Sequence, residues 1–146
     1  GLLIAPAMMR EFLFPYYQQL LANIRRRQLA PGRHLYVQVD TDGWVGTAIG
    51  VYCDGIGMDA MSPFEVASGC DVVQLGREHP ELAIFGGIDK RVLARGKDAI
   101  DRHLERILPA MRARGGYIPT SDHAVPAEVS LENYRHYRRR CVELGG

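Results

Sequence analysis

The chain has 146 residues, of which 47% are hydrophobic and 24% charged, a composition typical of one globular domain that buries a core. Its formal net charge of +1 gives no overall field that would favour nucleic acid or an anionic membrane as a partner. The apolar start from Leu2 to Met9 lacks a basic flank and is too short for a membrane span. We therefore expect a single domain over residues 1–146.

The first segment has the periodicity of an amphipathic helix. Apolar residues recur on one face at helical spacing, namely Met9, Phe12, Leu13, Tyr16, Leu20 and Ile24. Pro15 is expected to kink this helix or to begin a second one. The pair Pro31-Gly32 is expected to end the segment.

Four short apolar runs follow, and each is closed by Gly, Asp, Ser or Thr. Their length and composition predict buried β-strands. The four runs are His34–Asp40, Gly55–Asp59, Leu82–Ile88 and Gly116–Thr120.

Helical patterns lie between these runs. The first extends from about Trp44 to Cys53, and the second is expected to begin at Ser62-Pro63-Phe64-Glu65. In that tetrapeptide Ser62 would cap the helix, Pro63 would take its first position and Glu65 would complete a capping box. Asp89 is placed to cap the next helix.

The C-terminal part contains two amphipathic helices. The first has its apolar face at Ile100, Leu104, Ile107 and Met111. Pro109 is expected to disturb its last turns, and Gly115-Gly116 to stop it. Ser130 is expected to cap the final helix, whose stripe is Tyr134, Tyr137, Cys141 and Leu144.

Strand and helix alternate four times in this order. Apolar strands that alternate with helices indicate an α/β fold with a parallel sheet covered by helices. Four such units are half of a (β/α)8 barrel, which usually has about 250 residues. We therefore expect half of a TIM barrel, in a chain that is part of a longer protein.

In a barrel, functional groups gather on the loops that follow the strands. Four predicted loops carry polar side chains, namely Asp40-Thr41-Asp42-Gly43, Asp59-Ala60-Met61-Ser62, Asp89-Lys90-Arg91 and Thr120-Ser121-Asp122-His123. Structural roles are open for three of the acids. Asp42 and Asp89 could cap helices, and Asp59 could stabilise a turn.

Four stretches of the chain resemble the C-terminal part of the uroporphyrinogen decarboxylase superfamily. They are REFLFPYYQQL (10–20), MSPFE (61–65), GGIDKRVLARG (86–96) and GGYIPTSDHAVPAEVSLENY (115–134). The resemblance implies the C-terminal half of a TIM barrel. It also implies one of two chemistries, either cofactor-free decarboxylation of tetrapyrrole acetate side chains or zinc-dependent methyl transfer between corrinoid proteins and thiols.

The resemblance assigns a role to one residue of these loops, and the other site residues are expected from their position in the loops after the strands. His123 matches a histidine with which decarboxylase relatives contact substrate carboxylates, and we expect His123 and Asp42 to be catalytic. Asp40, Asp59, Asp89 and Asp122 are expected to bind substrate, with Asp122 orienting the His123 imidazole.

The methyltransferase relatives carry an H-x-C-G element and a later cysteine. Their counterparts here are Asp40-Thr41-Asp42-Gly43 and His123, so the thiolates that zinc prefers are replaced by harder ligands. Asp40, Asp42 and His123 are therefore the candidate ligands of a divalent metal, zinc or another ion.

The three cysteines, Cys53, Cys70 and Cys141, are far apart and lack C-x-x-C spacing, which indicates reduced thiols in a cytoplasmic protein. The expected function is that of a uroporphyrinogen decarboxylase-like lyase acting on a tetrapyrrole. The alternatives are a metal-dependent methyltransferase acting on a methyl-corrinoid protein and an inactive binding or assembly fragment. Free strand edges of a half barrel favour a homo-oligomer.

Overall fold

A four-stranded parallel sheet forms the centre of the protein. The computed structural model describes residues 2–28, 30 and 32–145. The strands are β1 (Gln38–Asp40), β2 (Ala60–Ser62), β3 (Ala83–Phe85) and β4 (Tyr117–Ile118). They lie side by side in chain order, and each pair is parallel. This confirms the predicted α/β fold of four strand–helix units, the arrangement found in half of a (β/α)8 barrel.

Helices precede the sheet and connect its strands. They are α1 (Pro6–Met8), which continues as a π-helical turn (Met9–Leu13), α2 (Phe14–Arg26), α3 (Gly46–Ile56), a 3₁₀ turn (Val66–Ser68), α4 (Val72–Glu78), α5 (Lys90–Leu93), α6 (Lys97–Arg114) and α7 (Leu131–Gly145). No helix among the described residues is long and apolar enough to cross a lipid bilayer.

The two faces of the sheet differ in polarity because successive side chains of a strand point to opposite faces. Met61 and Ile84 are neighbours in register, and both are fully buried in the main hydrophobic core. The opposite face carries Gln38, Asp40 and Phe85, which line a cavity. The helices therefore cover one face, and the other face contributes to the candidate site.

The second strand begins later than predicted. Helix α3 continues to Ile56, and Gly57, with φ 65°, ends it by donating its N–H to the carbonyl of Cys53. The strand then runs from Ala60 to Ser62, paired with Gln38–Asp40. The prediction of a strand at Gly55–Asp59 is therefore wrong, and Asp59 precedes the strand that it was expected to follow.

The helix expected to begin at Ser62 is also absent from the described structure. Ser62 pairs with Asp40 in the sheet, and Phe64 has a left-handed backbone with φ 57°. Helix α4 begins instead at Val72, where the Asp71 carboxylate accepts the N–H groups of Val73 and Gln74. Strand pairing with a distant segment therefore overrides the local capping sequence.

The prolines of the longer helices have different effects. Pro15 lies in the first turn of α2, which confirms that it begins a second helix. Helix α6 continues through Pro109 to Arg114, so Pro109 does not end the helix. Helix α2 ends at Arg26. The end of the helical segment was predicted at Pro31-Gly32, and Pro31 lies outside the described residues.

Candidate functional site

A cavity of about 460 Å³ lies at the carboxyl edge of the sheet, and we call it the site cavity. The last residues of three strands and the loops after β1, β2 and β4 form its walls. Its lining residues are Gln38, Asp40, Asp42, Ser62, Pro63, Phe85, Thr120, Ser121, His123 and Ala124. Three of the predicted site residues, Asp40, Asp42 and His123, therefore lie around one cavity.

Asp42 and His123 face each other although β1 and β4 are the outer strands of the sheet. The Asp42 Oδ1 lies 3.9 Å from the His123 Nε2. This distance is within the range of an ion pair but is too long for a hydrogen bond. Their side chains are 66% and 46% exposed, so a ligand in the cavity can reach both. Asp42 does not cap helix α3, which begins at Gly46 without a side-chain cap.

Asp40 is the last residue of β1, and its carboxylate is held by Ser62. The Ser62 hydroxyl donates a hydrogen bond of 2.5 Å to the Asp40 Oδ2 and accepts one of 3.2 Å from the Gln38 side-chain amide. From the sequence we included Ser62 in a functional loop but gave it the role of a helix cap, so its contact with Asp40 was missed. The strand that contains Ser62 begins at Ala60, after the residues predicted to form it.

Asp122 and Asp89 point away from the site cavity. Asp122 is fully buried, and its carboxylate accepts the backbone N–H groups of Val66 and Lys90 at 2.9 Å each. The expected contact of Asp122 with the His123 imidazole is therefore replaced by contacts with the loops after β2 and β3. Asp89 caps α5 by accepting the N–H of Arg91, as the alternative interpretation predicted.

Asp59 lies at the opposite edge of the sheet. Its carboxylate accepts the backbone N–H of Val37 at 2.7 Å and contacts the His34 Nε2 at 2.8 Å. Val37 immediately precedes β1, so both contacts belong to the amino ends of the strands. The structure therefore does not bring Asp59 to the site, because the second strand starts after it.

Glu65 and Lys90 join the loops beneath the site, and sequence reasoning missed this pair. Glu65 accepts the backbone N–H of Gly43 at 2.9 Å and forms a 3.0 Å ion pair with the Lys90 ammonium. Both side chains are mostly buried. The Gly43 hydrogen bond, followed by that of Lys90, lowers the pKa of the Glu65 carboxyl. Glu65 thereby fixes the loop that carries Asp42.

Replacing Glu65 with Gln is expected to lower the free energy of unfolding at neutral pH by about 1–2 kcal/mol. The pKa of Glu65 is lower in the folded protein, so its stabilising contribution is complete above the ordinary value of 4.5. That contribution is lost as the pH falls through the lowered pKa. Urea unfolding from pH 7 to pH 3 should therefore show a smaller loss of stability for the variant than for the parent.

Glu128 provides the matched control for this series, because its side chain is exposed. Glu128→Gln should leave both the stability and its pH dependence within about 0.5 kcal/mol of the parent. Identical pH curves for Glu65→Gln and the parent protein would show that Glu65 contributes nothing as a carboxylate.

The predicted metal site is not supported by the geometry. Within residues 2–28, 30 and 32–145, no three His, Cys, Asp or Glu side chains converge closely enough to hold a metal ion. Asp40 is engaged by Ser62, and Asp42 approaches His123. The structure does not bring the side chains of Asp40, Asp42 and His123 together as a chelate. A metal on these three residues therefore stays a prediction.

The cysteines lie away from the site cavity, whose lining contains none of them. Cys53 contacts the Met58 carbonyl and Cys70 the Gly43 carbonyl. Burial raises the pKa of the Cys53 and Cys70 thiols and that of Cys141 to about 11. Protonated thiols are poor zinc ligands.

Comparison with known proteins shows the family to which the chain belongs. The profile of the uroporphyrinogen decarboxylase (URO-D) family matches residues 1–143. Uroporphyrinogen decarboxylase of Saccharopolyspora erythraea is 27% identical over 117 residues, which are 80% of this chain and 32% of that protein. The chain therefore spans about a third of the length of this relative.

Proposed function

Since the chain belongs to the uroporphyrinogen decarboxylase family, we propose that it supplies the carboxyl-edge part of the site of a uroporphyrinogen decarboxylase-like lyase. The substrate would be a tetrapyrrole with acetate side chains. The observation that carries this proposal is the site cavity, in which Asp40 lies beside Ser62 and the Asp42–His123 pair is exposed.

The reaction requires only a few functional groups from the protein. Decarboxylation of an acetate side chain breaks the bond between its methylene carbon and its carboxylate. Carbon dioxide leaves, and the methylene carbon takes up a proton to become a methyl group. The protein must therefore bind the polar parts of the ring, orient the acetate and help to move one proton.

The residues of the site cavity suit these tasks. A reduced tetrapyrrole presents N–H donors at its centre and carboxylates at its periphery. Asp40 can accept hydrogen bonds from pyrrole N–H groups, and its geometry is fixed by Ser62. His123 can donate a hydrogen bond to a peripheral carboxylate or transfer a proton, and its Nε2 lies 3.9 Å from the Asp42 carboxylate.

The side chains that line the site cavity fit the methyltransferase alternative less well. Zinc-dependent activation of a thiol relies on soft ligands, and no cysteine lines the site cavity. Hard carboxylates and one imidazole could at most bind a different ion, and their arrangement gives no chelate among the described residues. We therefore favour decarboxylation over methyl transfer as the reaction.

Titration of the chain with uroporphyrin, followed by the Soret band, tests the binding part of this proposal. We expect a saturable spectral shift, weakened about tenfold or more in Asp40→Asn, which loses one charge-assisted acceptor. Chromatography of tetrapyrroles after anaerobic incubation with uroporphyrinogen then detects decarboxylation. Binding without turnover would favour the inactive binding fragment, and the absence of any Soret shift would refute the proposal.

We also propose that the chain self-associates. Within the described sheet, no strand pairs with the outer edge of β1 or β4, and Ile118 on β4 is exposed. Unpaired strand edges and the exposed Ile118 side chain favour pairing with a second copy. Light scattering should give at least a dimer mass, and Ile118→Lys should weaken association. A monomer that persists at high concentration would contradict this expectation.

A further inference from the structure

A second cavity, of about 400 Å³, adjoins the site cavity. We call it the N-terminal chamber, because residues 2–4 form part of its wall. Asp40 and Asp42 line both cavities. The segment after β1 therefore separates two compartments that one ligand could occupy together.

The lining of the N-terminal chamber is segregated by polarity. Its polar residues are the consecutive Asp40, Thr41 and Asp42, of which Asp40 and Asp42 also line the site cavity. The other walls are apolar or aromatic, and they include Leu3, Leu13, Trp44, Ala48 and Tyr52. A ligand group that enters this chamber from the site must therefore be apolar beyond the shared wall.

Charge gives a second constraint on the occupant. A carboxylate in the chamber would lose its hydration against apolar walls and would lie beside the carboxylates of Asp40 and Asp42. Both effects disfavour an anionic group. A methyl or other small alkyl group instead gains from covering Leu3 and Trp44, whose side chains are exposed.

The proposed reaction generates such groups. Each turnover replaces an acetate carboxylate by the hydrogen of a new methyl group, with release of carbon dioxide. A partly decarboxylated tetrapyrrole therefore carries a methyl-bearing edge next to acetate groups that have not reacted.

We infer that the N-terminal chamber binds a methyl-bearing edge of the tetrapyrrole, an inference that rests on the proposed function. The chain would then prefer partly decarboxylated, methyl-bearing tetrapyrroles over fully carboxylated ones. Leu3 and Trp44 are the specificity-determining residues of this assignment, and Asp40 and Asp42 exclude an acetate from the chamber.

Parallel Soret titrations with coproporphyrin and uroporphyrin test this inference. The two porphyrins share the ring and the propionates, and coproporphyrin has methyl groups where uroporphyrin has acetates. We expect coproporphyrin to bind about tenfold more tightly, because burial of one methyl group contributes a factor of about four and exclusion of the acetate carboxylate adds to it. Leu3→Asp adds a carboxylate to the chamber, and the preference should fall to about threefold or less.

Leu131→Asp is the matched control, since Leu131 is 63% exposed at the start of α7 and lines neither cavity. It should keep the full preference for coproporphyrin. Equal binding of the two porphyrins, a preference for uroporphyrin, or a preference that Leu3→Asp leaves intact would overturn the inference and leave the proposed function standing. The absence of a Soret shift with either porphyrin would overturn both.

Discussion

Replacing Asp122 with Ala is expected to lower the free energy of unfolding by about 3–5 kcal/mol. The side chain has 0% exposure, and its carboxylate accepts the N–H groups of Val66 and Lys90. Each hydrogen bond to a charged group contributes about 1.5–3 kcal/mol, and the variant leaves two donors without their partner. Urea unfolding followed by circular dichroism measures the loss.

Two further variants sharpen this test. Asp122→Asn keeps the shape but places an amide donor against a backbone N–H, so about half of the loss should remain. Asp54→Ala removes the same group from an exposed position on α3, and its effect should stay within about 0.5 kcal/mol. A loss for Asp122→Ala no larger than that for Asp54→Ala would show that the carboxylate does not hold the loops together.

Replacing His123 with Gln is expected to lower turnover of the full-length enzyme about 100-fold with little change in stability. Positioned proton transfer contributes roughly 10²–10⁴-fold to a reaction, and Gln keeps hydrogen-bonding capacity but cannot take up a proton. The His123 side chain is 46% exposed, so its removal opens no cavity. The melting temperature should change by no more than about 2 °C.

The pH profile separates a catalytic from a structural role for His123. In His123→Gln the dependence of the rate on pH should differ in shape from that of the parent, because Gln cannot transfer a proton. His79→Gln makes the same exchange at the C-terminal end of α4, close to the amino end of β3, and should retain full turnover and an unchanged profile. Matching losses of melting temperature and activity in His123→Gln would instead identify His123 as a structural residue.

Local patterns in the sequence were sufficient for the order and type of most elements. The run Leu82–Ile88 contains β3, and the periodicity of Ile100, Leu104 and Ile107 matches the buried side of α6. Asp89 and Ser130 cap helices as predicted, since each cap bonds an N–H two or three residues away. These features depend on neighbours along the chain, so the sequence displays them directly.

The periodicity of the first helix predicted a face but not its environment. Phe14 and Met9 are buried, whereas Phe12, Tyr16, Leu20 and Ile24 are exposed. An amphipathic stripe shows that one side of a helix is apolar, but burial requires another surface to cover it. Among the described residues, other parts of the protein cover only part of this apolar side of the helix.

The geometry of the site was decided by tertiary structure. The hydrogen bonds that fix it join residues 22 to 56 positions apart, from Gly43 with Glu65 to Val66 with Asp122. Ser62 and Glu65 had the local signature of a helix start, and pairing of Ser62 with Asp40 in the sheet replaced it. The sequence alone therefore determined which polar side chains follow the first and last strands. The direction of each carboxylate depended on which distant backbone N–H or hydroxyl the fold brought within reach, because a buried acceptor must be paired.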